Sequence, residues 1–289
     1  WFRFRSPGER SSGDSYIPYR HSMTIKNIEA NILVIGIGPH ARRIYIPAVE
    51  KLGPVFNNAK IVAGLDIESA KDVIDQFIEK RKSTINVQYI PHFDPKNGMP
   101  ESVATLLDTL LKEYSINAVI ISTEPLVHGV YAEWAIKNQL HILMDKPVTA
   151  RKNVVSDATE AAGIFDDYKQ LYDGYARSQK DCKTAFSINA QRRYELGHKK
   201  VFELIKEVAD KFNAPVTSVQ AMHADGQWRL PSEIVTQIYH PYCQGYGKCS
   251  HSGYHIFDIV YKYIATGARP GKMPDELETF SSFVTPSGF

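Results

Sequence analysis

Residues 31–41 read Asn31-Ile32-Leu33-Val34-Ile35-Gly36-Ile37-Gly38-Pro39-His40-Ala41, an apolar run that passes directly into a glycine-rich turn. A short apolar segment closed by Gly and Pro reads as a buried strand, a tight turn and the start of a helix. Gly36 permits backbone angles closed to residues with a Cβ, Gly38 lets the main chain approach a bulky anion, and the small Ala41 allows helix and strand to pack closely. Pro39 suits the first helical turn, where its missing N–H would have no partner anyway. The remaining amides of that turn, from His40 on, and the positive end of the helix dipole point at the anion. A pyrophosphate fits such a cradle.

Working outward, a helix ending near Leu52 leads to a second apolar strand over 60–65 that finishes at Asp66. A carboxylate at that strand end accepts hydrogen bonds from both hydroxyls of an adenosine ribose and repels a 2′-phosphate, so NAD is favoured over NADP. The distance from Gly36 exceeds the usual spacing of about 20 residues, and an insertion over 53–58 accounts for the excess. Strand and helix then continue to alternate. Residues 69–80 carry Val73, Ile74, Phe77 and Ile78 at helical spacing, 87–90 form a short strand, and 100–114 form a second amphipathic helix. A strand over 118–122 ends at Ser122 and is followed by the loop Thr123-Glu124-Pro125, a helix over 127–138, and a strand over 141–144 that ends at Asp145-Lys146-Pro147. This alternation predicts an α/β fold, a doubly wound parallel sheet with helices on both faces.

The chain has 289 residues, 43% hydrophobic and 23% charged, enough for two domains with separate cores. A net charge of +2 gives no electrostatic reason to expect nucleic acid or an acidic membrane as partner. No apolar run approaches the roughly 18 residues that a membrane span requires. Cys182, Cys243 and Cys249 are too few and too scattered for a disulfide framework and suggest a reducing, cytoplasmic compartment. Residues 1–25 lack periodicity and read as a disordered tail in which Met23 is the natural start.

The segment 117–147 resembles the part of the Gfo/Idh/MocA oxidoreductase family that ends in a Glu-Lys-Pro tripeptide, here Asp145-Lys146-Pro147, with His128 at the matching upstream distance. The loop proline falls one residue late, as Glu124-Pro125. The resemblance implies a Rossmann domain over 26–148 whose nucleotide site uses Gly36, Gly38, Pro39, His40, Ala41, Asp66, Ser122, Thr123, Glu124, Pro125, His128, Asp145 and Lys146. It also implies a cis Lys146-Pro147 bond and a substrate-facing, catalytic Lys146. A lysine at the carboxyl end of a parallel strand sits where such sheets bind ligands, and its ammonium stabilises developing alkoxide charge.

Residues 149–289 are expected to form an α+β substrate domain with an open, mostly antiparallel sheet, truncated at its end and prone to pairing with another copy. Residues 149–180 read as mostly helical with an apparent insertion around 163–167. Strands are expected over 184–189, 216–224 and 277–285, and an amphipathic helix over 198–211 turns Val201, Phe202, Leu204, Ile205 and Val208 inward. Arg193-Tyr194 resembles the family's Arg-aromatic pair near the substrate. The stretch His251-Ser252-Gly253-Tyr254-His255-Ile256-Phe257-Asp258 resembles the family's Asp-x-Gly-x-His-x-x-Asp motif, with His251 in place of the first aspartate. The resemblance makes His255 the proton-transfer residue. Asp258, three positions on, shares a helix face from which it can orient the imidazole, and His251 and Arg193 join the substrate contacts.

His240, Cys243, Cys249, His251 and His255 are dense enough to suggest zinc, but without a C-x-x-C pair their spacing matches no zinc pattern, so no metal is expected. The expected activity is NAD-dependent hydride transfer to or from a sugar, polyol or sugar-derived alcohol. The alternative is a nucleotide-binding sensor of the same fold, because His251 cannot supply the negative charge that stabilises an imidazolium.

Overall fold

Strand β1 (Asn31–Ile35) shows why the sheet is covered on both sides. Successive side chains of a strand point to opposite faces. Ile32 and Val34 enter one core with Ile46 and Ile74, whereas Leu33 and Ile35 enter another with Leu107, Ala132 and Leu171. The first face is roofed by α1 (Ile46–Leu52) and α2 (Lys71–Arg81), and the second by α3 (Glu101–Glu113), α4 (His128–Lys137) and α5 (Ala158–Ser178). Each large aliphatic side chain buried there contributes roughly 1.5–3 kcal/mol. This computed structural model describes residues 2–3, 29–54, 58–222, 241–246, 249–272 and 278–282.

The other strands are β2 (Lys60–Ile67), β3 (Asn86–Ile90), β4 (Ala118–Ile121), β5 (His141–Met144) and β6 (Phe186–Ile188). All six are parallel, in the order β3-β2-β1-β4-β5-β6. The chain builds outward from β1 to β3 and then returns to the other side of β1. The carboxyl ends of β1 and β4 therefore flank the switch point, where open α/β sheets bind ligands.

The sixth strand differs from the sequence expectation, which assigned residues 184–189 to a second domain beginning at 149. Phe186–Ile188 instead pairs with β5 in register Ile142↔Phe186 and Met144↔Ile188. The physical reason is α5, which serves as the crossover that parallel strands require. Its Tyr175 donates from the hydroxyl to Thr184 O at 2.7 Å and packs edge-on to Phe186. Residues 163–167, read from the sequence as an insertion, lie within the continuous helix α5. Asp157 caps α5 by accepting from the Thr159 and Glu160 amides, and Arg151 lies across Gly163 to reach Asp167 with both Nε and Nη2. A Cβ at Gly163 would meet the Arg151 guanidinium at 2.0 Å, so this glycine makes room for a side chain and does not break the helix.

Two compact units result. The sheet unit comprises Lys26–Glu195 with Ala221–Ile259, and the second comprises Trp1–Ile25, Leu196–Gln220 and Val260–Phe289. The sheet unit includes the short helix α7 (Pro241–Gln244), and α8 (Tyr254–Gly267) contributes residues to both units. Within the second unit, α6 (Leu196–Phe212) meets the end of α8. There His198 Nδ1 lies 2.7 Å from Tyr263 OH, Phe202 packs edge-on to Tyr263, and Arg269 donates to Asp210 at 2.6 Å.

The inward face expected on α6 is only partly realised. Phe202 and Ile205 are half-buried and Ala209 is buried, whereas Val201, Leu204 and Val208 are exposed. Of the expected antiparallel sheet, the described residues hold only Phe2–Arg3 paired with Glu278–Thr279. Residues 216–222 are not a strand, since β-propensity expresses itself only against a neighbouring strand. Val216 instead packs against Gly267. Residues 4–25, 55–57, 223–224, 277 and 283–285, on which other expectations rested, lie outside the described residues.

Candidate functional site

The turn after β1 is fixed by contact with the loop after β4. Gly36 has φ +87°, and a Cβ there would sit 2.6 Å from the carbonyl carbon and oxygen of Ser122 and from Thr123 N, so only glycine fits. Its N–H donates to Leu65 O at 2.9 Å. Gly38 is the opposite case, because a Cβ there would meet nothing within 4 Å. The space over it is open. Arg42 N–H closes back onto Gly38 O at 3.0 Å, which leaves the earlier amides of His40 and Ala41 without intrahelical acceptors.

Asp66, near the end of β2, bridges the two strand ends. Its carboxylate accepts from Ile37 N–H at 2.6 Å and Ile67 N–H at 2.7 Å. Burial pushes its pKa up, opposed by those two amides and by the Arg42 charge. Each oxygen keeps a further lone pair for a ribose hydroxyl.

At the end of β4, Ser122 is 8% exposed and its Oγ has no hydrogen-bond partner among the described residues. Thr123 Oγ1 donates to Glu124 O at 3.2 Å, and Pro125 opens the short turn Pro125–Val127 before α4. His128 differs from its expected place among cofactor contacts. It is 0% exposed, with Nδ1 2.8 Å from Pro147 O and Nε2 3.2 Å from Thr123 O. Burial holds its pKa below the usual value, so the ring is neutral and ties the β4 loop to Pro147. A fully enclosed ring offers no surface to a ligand.

At the end of β5, Asp145 accepts from the Lys146 amide at 2.9 Å, and the Lys146-Pro147 peptide is cis. Two residues missed by sequence reasoning converge here. The helix after the glycine turn begins with a π-helical stretch, Ala41–Tyr45, whose wider turn brings the His40 and Tyr45 rings edge to face at 5.1 Å. His40 Nε2 lies 4.0 Å from Asp145. Tyr45 OH accepts from Asn189 Nδ2 at 2.5 Å, while burial and then the Asp145 charge raise its pKa. A tyrosine in the buried half of this helix was the available signal, because its hydroxyl needs a partner; Asn189 offered none.

On α8, His255 is 5% exposed and its Nδ1 has no hydrogen-bond partner among the described residues. Its pKa is lowered to about 4 by burial first and then by the charges of Lys146 and Arg192, against the opposing pull of Asp145 and Asp258. The ring is thus a neutral base beside a lysine. Asp258, expected to orient His255, is instead gripped by Arg193, whose Nε donates to it at 3.0 Å and whose Nη2 reaches its other oxygen. A guanidinium fork matches a carboxylate better than an imidazole does, which also removes Arg193 from open substrate contact. His251 lies in the turn Cys249–Gly253 before α8, with its side chain outside those described. Among the described residues, no group of three or more His, Cys, Asp or Glu is arranged to hold a metal.

The arrangement suits a dinucleotide, with open space over Gly38, an unused hydroxyl on Ser122 and spare acceptor capacity on Asp66. Comparison with known proteins agrees. No curated protein matches the chain. Among solved structures it is similar to the WlbA (WbpB) dehydrogenase from Thermus thermophilus, in complex with NAD and alpha-ketoglutarate, at 15% identity and TM-score 0.52, covering 81% of this chain and 62% of that one. It is also similar to the aldose-aldose oxidoreductase from Caulobacter crescentus, complexed with glycerol, at 13% identity and TM-score 0.51, covering 82% and 58%. A putative dehydrogenase from Bordetella bronchiseptica RB50 matches at 16% identity and TM-score 0.50, covering 82% and 50%. These likenesses show the fold, and the chain spans about half to three-fifths of each structure's length. Residues 30–173 match the model of the oxidoreductase family with an NAD-binding Rossmann fold. Through those residues the chain belongs to the Gfo/Idh/MocA oxidoreductase family.

Proposed function

We propose that this protein is an NAD-dependent oxidoreductase acting on the CH–OH group of a sugar, polyol or sugar-derived alcohol, or on the matching ketone. The observation that carries the proposal is the buried His255, with its unpartnered Nδ1, within electrostatic reach of Lys146 at the carboxyl edge of the parallel sheet. The glycine turn from Gly36 to Ala41 and Ser122 would hold the diphosphate side of the dinucleotide, and Asp66 would hold the adenosine ribose. When bound, the nicotinamide supplies the hydride acceptor or donor. Lys146 donates hydrogen bonds to the reacting oxygen and stabilises its developing charge, and neutral His255 accepts the hydroxyl proton. Asp145, held through Tyr45 and the Lys146 amide, fixes the strand end from which Lys146 projects.

Neighbours of the same fold crystallised with NAD and alpha-ketoglutarate or with glycerol support this substrate range. A cytoplasmic setting is in keeping with three cysteines too few and too scattered for a disulfide framework, and the second domain's sheet is the proposed surface for homo-oligomer formation. The test is absorbance at 340 nm during a screen of sugars and polyols with NAD. Turnover that survives both Lys146→Ala and His255→Ala would overturn the assignment.

One observation favours a second reading, a nucleotide-binding sensor. With Asp258 committed to Arg193, the pull of Asp145 and Asp258 on His255 is outweighed by burial and by the charges of Lys146 and Arg192, so the protonated ring is disfavoured. Calorimetric NAD binding without turnover on any member of the screen would select it.

A further inference from the structure

We propose that the substrate of this site is a monoanion, a hydroxy compound of the sugar or polyol class that carries a carboxylate, and that Arg192 is the residue that reads it. The proposal rests on the oxidoreductase reading above and narrows it to a chemical class.

The geometry begins at two adjacent strand ends. Strands β5 and β6 run parallel with Met144 opposite Ile188, and Asn189 N–H donates to Met144 O at 2.8 Å. Lys146 follows two residues after Met144. The turn Gln191–Tyr194 follows three residues after Ile188. Lys146 and Arg192 therefore leave the same edge of the sheet from neighbouring strands, which lie about 4.8 Å apart. Arg193 grips Asp258 with two donors, and Asp258 lies three residues beyond His255 on α8. This bond pins the turn against the segment of helix that bears His255. The position of Arg192 is visible in its effect on the imidazole, where its charge ranks after burial and Lys146 among the causes of the depressed pKa.

A count of charges then separates the two arginines. Arg193 and Asp258 neutralise one another. Asp145 accepts from the Lys146 amide and faces Tyr45 and His40, and it offsets one positive charge. Lys146 is needed for the reacting oxygen. Arg192 is left half-buried with no side-chain hydrogen bond or ion pair among the described residues. A guanidinium so placed is a planar fork suited to a carboxylate. His255 supplies the second sign of a missing ligand, since its enclosed Nδ1 has no partner. One unmatched cation calls for a single negative charge, which favours a carboxylate over a phosphate dianion.

The test compares matched pairs, hexonate against hexitol and hexuronate against hexose, with their six-phosphates as a third arm. Turnover is read at 340 nm, and binding to the NAD-loaded protein is read by calorimetry. The acids are expected to exceed their neutral partners by about ten- to a hundred-fold in kcat/KM, the scale of one charge-assisted hydrogen-bond pair. Arg192→Gln is expected to lower kcat/KM for the acids at least ten-fold more than for the neutral compounds, and Arg192→Lys to fall between, since it keeps the charge and loses the fork. Equal or better use of the neutral compounds, preference for the phosphates, or an acid-to-neutral ratio unchanged by Arg192→Gln would each overturn the proposal. NAD titration separates it from the broader reading. If NAD binds and no compound turns over, the oxidoreductase reading fails, and tighter calorimetric binding of the acids than of the neutral compounds still decides for or against Arg192.

Discussion

Gly36 and Gly38 stand two residues apart in one turn, yet the structure assigns them different work, and a pair of alanine variants separates the two. At Gly36 a methyl group would sit 2.6 Å from Ser122 backbone atoms and Thr123 N, well inside the 3.4 Å at which ordinary contact begins, and φ is +87°. The left-handed backbone costs an L-residue about 1–2 kcal/mol, and forcing a methyl against main chain costs about 1–3 kcal/mol more. Gly36→Ala is therefore expected to lower the unfolding free energy by about 2–5 kcal/mol, read from urea melts of the apo protein. Gly38→Ala meets no atom within 4 Å, so its stability is expected to stay within about 0.5 kcal/mol of the parent. Its methyl group instead occupies the space assigned to the pyrophosphate. NAD affinity by calorimetry is expected to fall at least ten-fold, or about 1.4 kcal/mol. A Gly38→Ala protein that binds NAD as the parent does would refute the placement of the diphosphate. A Gly36→Ala protein as stable as the parent would refute the contact between the β1 and β4 turns.

Three further outcomes are expected. Tyr45→Phe removes a buried hydroxyl that Asn189 and Asp145 share, and is expected to cost about 1–2 kcal/mol in denaturant melts; no change would mean that the phenol anchors nothing. The pKa of His255 is lowered to about 4 in the folded chain from an ordinary value of 6.5. The neutral ring's contribution is thus intact above pH 6.5 and lost as pH falls toward 4, by up to about 3 kcal/mol. Burial of His128 adds loss in the same direction, so His255→Gln should flatten part of the acid slope, and an unchanged slope would count against the burial of His255. Asp258→Asn leaves the Arg193 guanidinium without its carboxylate and is expected to cost about 1–3 kcal/mol, while the acid limb of the pH–rate profile moves only slightly to lower pH, because Asp258 is the weakest of the charges that act on His255. A shift of about one pH unit or more would return Asp258 to the role of partner to His255.

The sheet was legible because its signals are local. Ile32, Leu33, Val34 and Ile35 are buried on two faces, and such a run is read without knowing what lies across from it. The same holds for Asp66 at the end of its strand and for the positive φ of Gly36, which belongs to a turn that the next few residues already imply, though not for the contact of Gly36 with Ser122. Residues whose role depends on a distant partner were not legible. Phe186–Ile188 is as short and apolar as any strand of a second domain, and only the crossover path of α5 makes it the edge of the first sheet. Gly163 gives no sign of its purpose until Arg151, twelve positions earlier, is seen lying over it. The sharpest case is Arg192-Arg193. Neighbouring arginines of equal charge cannot be told apart by type or spacing, and a family resemblance naturally points to the one beside the aromatic Tyr194. The choice is made by Asp258, 65 positions away, which takes Arg193 and leaves its neighbour unmatched. The same bond removes the carboxylate that the motif on α8 seemed to hold for His255. One long-range ion pair thus alters the reading of three candidate residues at once, and no rule of position along the chain anticipates it.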